Sequence, residues 1–147
     1  MRSAVIIKAC DKVALIERFR DDQTYYLFPG GTVEPEETLE AAAVREAREE
    51  LGLEIRLGPL AAIVEFEGKL QYYFWATPVA GDFGSGNGEE LRSSSNSQRG
   101  SYRPIWLNIE QLAGEDVRPK ALAVALSQGR LMPGNETLLI QEQESTK

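Results

Sequence analysis

The sequence predicts a single α/β domain in which helices pack on a sheet of mixed strand direction. Its 147 residues can bury a real core, and 42% of them are hydrophobic. Short runs rich in β-branched and aromatic residues alternate with two helix-forming segments, and this order is typical of an α/β sandwich. We expect the domain to occupy residues 1–133 and residues 134–147 to form a poorly ordered tail.

Three strands are predicted before the longer helix. Residues 3–9 (SAVIIKA) and 13–19 (VALIERF) are separated by a short linker, so they predict a hairpin. A third apolar run, residues 25–28, stops just before a proline and the Gly30-Gly31 pair. Backbone that carries no side chain can bend freely and approach a ligand closely, so this turn is also a candidate site.

The longer helix is predicted over residues 38–51, because Ala, Leu, Glu and Arg dominate there and Gly52 supplies a C-terminal stop. β-branched and aromatic runs predict the later strands, and a stretch rich in Gly, Ser and Asn predicts a long loop. These elements are strands at 61–66, 70–78 and 104–108, the loop at 81–100, and a second helix over 118–128 that has Pro119 near its start.

Charge and composition limit the classes of function. Asp and Glu outnumber Lys and Arg by 23 to 16, and the net charge of -7 should repel nucleic acid polymers and anionic membranes. No apolar run approaches the roughly 20 residues that span a bilayer. The N-terminus lacks the apolar core of a signal peptide and Cys10 is the only cysteine, so we expect a cytoplasmic protein without a disulfide. Oligomeric state is left open.

The chain contains no histidine. This removes Ser-His-Asp chemistry, Cys-His chemistry and the usual zinc sites from consideration. The candidates for general acid–base catalysis are therefore carboxylates, Lys, Tyr or a metal-activated water.

Seven glutamates lie between residues 30 and 53. Glu46, Glu49 and Glu50 are spaced i, i+3 and i+4, so they share one face of the predicted helix, although like charges repel at this spacing. Taken alone, the cluster would be explained by a solvated acidic face. Carboxylate oxygens that converge from one helix also suit a hard cation such as Mg²⁺ or Mn²⁺.

The residues around the glutamate cluster favour a cation site over a solvated acidic face. The Gly30-Gly31 turn can present a backbone carbonyl, because no side chain shields it. Arg45 can orient one carboxylate without neutralising the whole cluster, although an ordinary surface ion pair would also explain it.

The order of these residues resembles the Nudix box, the signature of hydrolases of nucleoside diphosphates linked to another moiety. The pattern is Gly31, five residues, Glu37, seven residues, and then REAREELGL at residues 45–53. The resemblance continues through about residue 130 and implies a Nudix-type α/β/α sandwich with a mixed sheet. Three positions depart from the usual pattern without removing a ligand: Thr32, Glu36 and Ala47.

The resemblance also implies roles for individual residues. The implied ligands of one to a few Mg²⁺ ions are Glu46, Glu49, Glu50 and the Gly30 carbonyl, with Mn²⁺ as a substitute. Glu37 would support Arg45, and Arg45 would orient the metal-site carboxylates. The metal would neutralise the diphosphate and lower the pKa of the water that attacks phosphorus. The candidates for the base that takes the proton are Glu46 and, in the long loop, Glu89 and Glu90.

Substrate contacts are less constrained. Arg18 and Arg20 follow the second predicted strand and could contact phosphate, although basic residues at a strand end are often simply solvated. Several aromatic residues could stack on a base, although aromatics at strand spacing are more often core. They are Tyr25, Tyr26, Phe28, Phe83, Tyr102 and Trp106.

The leading hypothesis is a Mg²⁺-dependent pyrophosphohydrolase of a small nucleotide-type diphosphate, which could be a nucleoside triphosphate, a dinucleotide or a nucleotide sugar. One alternative is a Nudix domain that senses such a ligand without cleaving it. The sensing alternative predicts a broken box, whereas here Arg45, Glu46, Glu49 and Glu50 are all present. A second alternative is a plain metal-binding or protein-interaction module, which leaves the Gly30-Gly31 turn unexplained.

Overall fold

A mixed sheet with one helix on each face forms the protein. The computed structural model describes residues 1–84, 101–134 and 136–142, and in these ranges the sheet has nine strands. The strands are β1 Arg2–Ala9, β2 Lys12–Arg20, β3 Gln23–Leu27, β4 Gly30–Thr32, β5 Leu53–Phe66, β6 Lys69–Gly81, β7 Ser101–Asn108, β8 Val117–Arg118 and β9 Leu138–Glu142. Helix α1 spans Leu39–Leu51, a 3-10 helix spans Ile109–Gly114, and helix α2 spans Lys120–Ser127.

Strand β1 is the point at which the sheet divides. The strand order is β8-β3-β2-β1-β6-β5-β9, while β4 pairs with β1 and β7 pairs with β2. Residues 2–7 of β1 run parallel to β6, but only Lys8 and Ala9 pair with β2. At its other end β1 pairs with β4, where Ala4 lies opposite Gly30. The sheet therefore opens between β4 and the β2–β3 pair, and the candidate site lies in this opening.

Alternation along β1 builds a core on both faces of the sheet. Val5 and Ile7 pack in the cluster beneath α1, whereas Ala4 and Ile6 pack in the cluster beneath α2. Successive side chains of a strand point to opposite faces, so a run of consecutive apolar residues is required where both faces are covered. The sandwich expected from the sequence is confirmed.

Helix α1 is fixed at both ends and along its inner face. The Thr38 hydroxyl accepts a hydrogen bond of 3.0 Å from the Ala41 N–H at the N-terminus. Gly52 ends the helix with a φ of 77°, a left-handed conformation that glycine adopts without strain. The inner face is made of small residues and one leucine, which let the helix lie close to the sheet: Ala42, Ala43, Ala47 and Leu51. Alanine at position 47 is thus a fully buried packing residue.

The structure extends several predicted elements. The hairpin of β1 and β2 and the helix over residues 38–51 are confirmed. Strand β5 begins at Leu53 rather than residue 61 and contains register shifts near Gly58 and Leu60, which obscure the alternation in the sequence. The Gly30-Gly31 turn is itself a short strand. In the loop expected at 81–100, residues 85–100 lie outside the described residues.

The tail expected to be poorly ordered from residue 134 contains a strand instead. Strand β9 runs parallel to β5, with Leu138 opposite Ala62 and Ile140 opposite Val64. Leu138 and Ile140 pack against the core cluster beneath α2, while Leu139 between them is exposed. The expectation was wrong for these residues, because a short alternating run gains stability only from the sheet edge that it covers. No helix in the described ranges is both long and apolar enough to cross a bilayer.

Candidate functional site

A cavity of about 290 Å³ lies in the opening between β4 and the β2–β3 pair. Its lining combines carboxylates, cationic side chains and exposed backbone on a partly apolar floor. The lining residues are Arg2, Ile16, Arg18, Leu27, Phe28, Gly30, Gly31, Thr32, Glu46, Glu50 and Tyr102. Acidic groups from one helix thus face cationic groups from two strands across a single small space.

The two glycines of β4 lie directly against the carboxylates of α1. The backbone N–H of Gly30 donates a hydrogen bond of 2.9 Å to Oε1 of Glu50. A Cβ added to Gly31 would overlap the carboxylate of Glu46. Strand and helix therefore approach so closely that only glycine leaves room for the Glu46 side chain.

Arg45 binds the carboxylates that surround it. Its Nε and Nη2 donate to the two oxygens of Glu37 at 2.7 and 3.0 Å, a bidentate pair. Its Nη1 donates to Glu46 at 2.9 Å and to Glu49 at 3.3 Å. Its Nη2 also donates to the Thr32 carbonyl at 3.2 Å. A single guanidinium, with its side chain 20% exposed, thus links α1, the preceding loop and β4.

These contacts shift two ionisation equilibria. The hydrogen bond from Arg45 is the largest cause that lowers the pKa of Glu37 from 4.5 to about 2, and the backbone N–H of Glu34 adds to it. The same hydrogen bond to Glu37 raises the pKa of Arg45, although burial acts in the opposite direction. Both groups are therefore charged at neutral pH, and the pair is a fixed part of the site.

Comparison with known proteins identifies the family. A model of the NUDIX domain matches residues 2–126, which is most of the chain. The chain belongs to the NUDIX family.

Three known proteins are similar to the Nudix chain. The CTP pyrophosphohydrolase of Escherichia coli (strain K12) is 44% identical over 61 residues, which cover 40% of this chain and 45% of that protein. The match thus spans less than half the length of this curated relative. A NUDIX hydrolase from Nitrosomonas europaea has a TM-score of 0.69 and 19% identity, over 96% of this chain and 78% of that one. The E. coli ORF135 protein has a TM-score of 0.61 and 26% identity, over 91% and 93%.

The structure brings most of the expected Nudix residues together. Glu46 and Glu50 line the cavity with Arg18, and Glu49 is linked to Glu46 through Arg45. The expected contact between Glu37 and Arg45 is present. Arg20 is not among the cavity-lining residues: it lies at the end of β2, and its exposed side chain is 4.0 Å from Asp21. Glu89 and Glu90 lie outside the described residues.

The donor chemistry of the Nudix box fits a hard cation. Glu46, Glu49 and Glu50 supply carboxylate oxygens, the ligand type that Mg²⁺ and Mn²⁺ prefer. Nevertheless, no three acidic or cysteine side chains within the described residues are already gathered as a metal-binding group. Arg45 holds Glu46 and Glu49, while Glu50 accepts from Gly30. Metal binding would therefore exchange existing hydrogen bonds for metal–oxygen contacts.

Arg2 and Tyr102 are cavity residues that were not assigned to phosphate or metal from the sequence. Arg2, at the start of β1, donates to the Phe28 carbonyl at 3.0 Å and lines the cavity. No sequence signal marks Arg2, because its place depends on β1 pairing with β4. Tyr102 was considered only as a stacking residue for a base, whereas its ring contacts Arg18.

Proposed function

We propose that this Nudix protein is a Mg²⁺-dependent pyrophosphohydrolase that cleaves a nucleoside diphosphate linked to another moiety. The observation that carries the proposal is the close approach of the Gly30-Gly31 strand to Glu46 and Glu50, with Arg45 joined to Glu46 and Glu49. A solvated acidic face needs neither the glycines nor the arginine. A metal site needs both, because the carboxylates must be crowded and yet held in position.

We assign the metal ligands to Glu46, Glu49, Glu50 and the Gly30 carbonyl, with Mn²⁺ as a substitute for Mg²⁺. The metal supplies charge neutralisation of the diphosphate and acidification of the attacking water. Arg45 keeps the carboxylates oriented, and Glu37 fixes the guanidinium through its bidentate pair.

In the reaction the water oxygen bonds to one phosphorus and the bridging phosphorus–oxygen bond breaks, so the second phosphate leaves with the bridging oxygen. We assign to Glu46 the acceptance of the water proton, because its carboxylate lines the cavity beside Gly31. Glu89 and Glu90 are the alternative bases.

The substrate we propose is a small nucleotide-type diphosphate: a nucleoside triphosphate, a dinucleotide or a nucleotide sugar. Arg18 lines the cavity and is our candidate for contact with a phosphate oxygen. The similarity to a CTP pyrophosphohydrolase makes CTP the first compound to test. The net charge of -7 argues against a nucleic acid polymer as substrate.

The proposal is tested with a panel of diphosphates, namely the nucleoside triphosphates, a diadenosine polyphosphate, ADP-ribose and UDP-glucose. Each is incubated with millimolar Mg²⁺, and the products are separated by chromatography. We expect cleavage that rises toward alkaline pH, because the attacking water must lose a proton, and that stops in EDTA and in Glu46→Gln. Full activity in excess EDTA would contradict metal dependence. Tight binding without products would favour the sensing alternative.

A further inference from the structure

Arg18 stands in the middle of a cross-strand row that borders the cavity. It lies opposite Tyr102 on β7 and opposite Tyr25 on β3. Ile16, two residues earlier on the same strand, belongs to the core cluster beneath α1. Arg18 therefore points to the same side of the sheet as the acidic helix, and both line the cavity.

The guanidinium of Arg18 is held by an aromatic ring. Its central carbon lies 4.2 Å from the centroid of the Tyr102 ring, a cation–π contact. The adjacent tyrosine of the row, Tyr25, is engaged by a different cation, because Arg118 lies 4.0 Å from its centroid. Arg18 and Arg118 thus each have their own aromatic partner.

The Nε of Arg18 is buried and has no hydrogen-bond partner among the described residues. Leaving a buried donor of a charged group unpaired costs free energy, so we expect a hydrogen-bond acceptor near this side chain when the protein is at work on its ligand. The carboxylate on the preceding residue does not serve, because Glu17 pairs with Arg103 at 2.7 Å. The Arg18 side chain as a whole is only partly buried and lines the cavity, so a ligand there can bring an acceptor to the guanidinium.

Whether Arg18 is held by a carboxylate or by an aromatic ring decides whether its charge is available to an anionic ligand. A carboxylate beside Arg18 would occupy its N–H donors and cancel its charge, as Glu37 does for Arg45. A ring face holds the guanidinium through its π electrons and leaves the N–H groups and the positive charge available. The opposite wall carries Glu46 and Glu50, which repel phosphate, so an uncancelled cation is useful here.

We propose that Tyr102 is a positioning residue that holds the Arg18 guanidinium toward the cavity, where Arg18 donates to a phosphoryl oxygen of the substrate. This inference rests on the proposed function, since it takes a diphosphate as the ligand. It gives Tyr102 a role other than stacking on a base, and it makes the contribution of Tyr102 depend on Arg18.

The test is a double-mutant cycle of Tyr102→Leu, Arg18→Gln and the double variant. Two quantities are measured: KM for the diphosphate that the parent cleaves, and Kd, by calorimetry with Mg²⁺, for a CTP analogue with a methylene bridge between its α and β phosphorus atoms. Tyr102→Leu should raise KM or Kd by about 3- to 30-fold, with a smaller change in kcat. In the Arg18→Gln background the same change should have almost no effect.

Two further variants separate positioning from folding. Tyr102→Phe keeps the ring face and should restore binding lost in Tyr102→Leu. Phe19→Leu is the matched control, because it also replaces an aromatic residue by leucine. Phe19 lies on β2 next to Arg18 and is 45% exposed. This control should leave KM and Kd unchanged, and circular dichroism of every variant checks the fold.

The outcomes are distinct. Effects of Tyr102→Leu and Arg18→Gln that multiply in the double variant would overturn the inference and leave the proposed function intact. An unchanged KM and Kd in Tyr102→Leu would likewise overturn the inference and leave the proposed function intact. A parent that neither cleaves any diphosphate of the panel nor binds the analogue would overturn the proposed function, and this inference with it.

Discussion

The backbone N–H of Gly30 donates a hydrogen bond of 2.9 Å to Glu50, twenty residues later in the chain. The bond joins strand β4 to the last turn of helix α1, and the Glu46 carboxylate lies against the next residue of β4, Gly31. Because the helix is anchored on the sheet by Ala42, Ala43 and Ala47, the carboxylates cannot move apart by moving the helix. The fold therefore keeps these carboxylates near one another despite their like charge. The stabilisation that a cation gives by relieving this repulsion can be measured.

Glu50→Gln should change how the protein responds to metal. Without metal, the variant should be as stable as the parent or more stable by a few tenths of a kcal/mol, because one of three crowded charges is removed. Mg²⁺ should stabilise the parent by about 1.4 kcal/mol at ten times Kd and the variant much less, so the ranking should reverse. Melting curves in EDTA and in Mg²⁺ at matched ionic strength measure this.

The control for this experiment is Glu40→Gln, which removes an exposed carboxylate from the first turn of the same helix. It should keep the full Mg²⁺ shift of the parent. Equal Mg²⁺ shifts in the parent and Glu50→Gln would show that Glu50 is not a ligand.

Arg45→Ala should lower kcat/KM of a folded protein by about 10- to 100-fold, the usual effect of removing a residue that orients metal ligands. The reason is that Glu37, Glu46 and Glu49 all lose a common donor. Arg48→Ala is the matched control on the same helix. It removes an exposed pair with Glu54 and should cost at most about 1 kcal/mol of stability, with activity unchanged. Equal kinetics in both variants would assign Arg45 to a surface ion pair.

Gly31→Ala should reduce activity with little change in melting temperature. The added methyl group would overlap the Glu46 carboxylate, which lies at the free end of a flexible side chain and can rotate away. The Glu46 carboxylate would thus move out of the site, while the backbone of β4 would keep its position. Gly114→Ala is the control, since its Cβ would meet nothing within 4 Å and its φ lies outside the left-handed region. A large loss of stability in Gly31→Ala would instead mean that the strand cannot accept a side chain.

Glu37 should make stability depend on acid pH. Its pKa is lowered from 4.5 to about 2, so its ionised form is stabilised by folding. Its contribution is fully present above about pH 4.5 and is lost as the pH falls toward about 2. The difference in unfolding free energy between the parent and Glu37→Gln, from urea titrations at several pH values, should therefore shrink over this range. A difference that is constant from pH 7 to pH 2 would contradict the Arg45–Glu37 pairing.

The sequence by itself determined the elements whose stability is local. Helix α1 was predictable because its residues favour helix, Thr38 and Gly52 cap it, and its glutamates repeat at helical spacing. The order of glycine, glutamate and arginine residues in the box likewise indicated the family, which the match over residues 2–126 confirms.

Only the tertiary structure decided the features that depend on distant parts of the chain. Strand β9 forms because the edge of β5 accepts it, and β4 forms because β1 lies beside it. The cavity exists because only the last two residues of β1 pair with β2, while residues 2–7 pair with β6. Arg18 meets Tyr102 across 84 positions of sequence only because β2 pairs with β7. Such pairings join strands that are far apart in the sequence, so a local pattern of residues does not show which strands become neighbours.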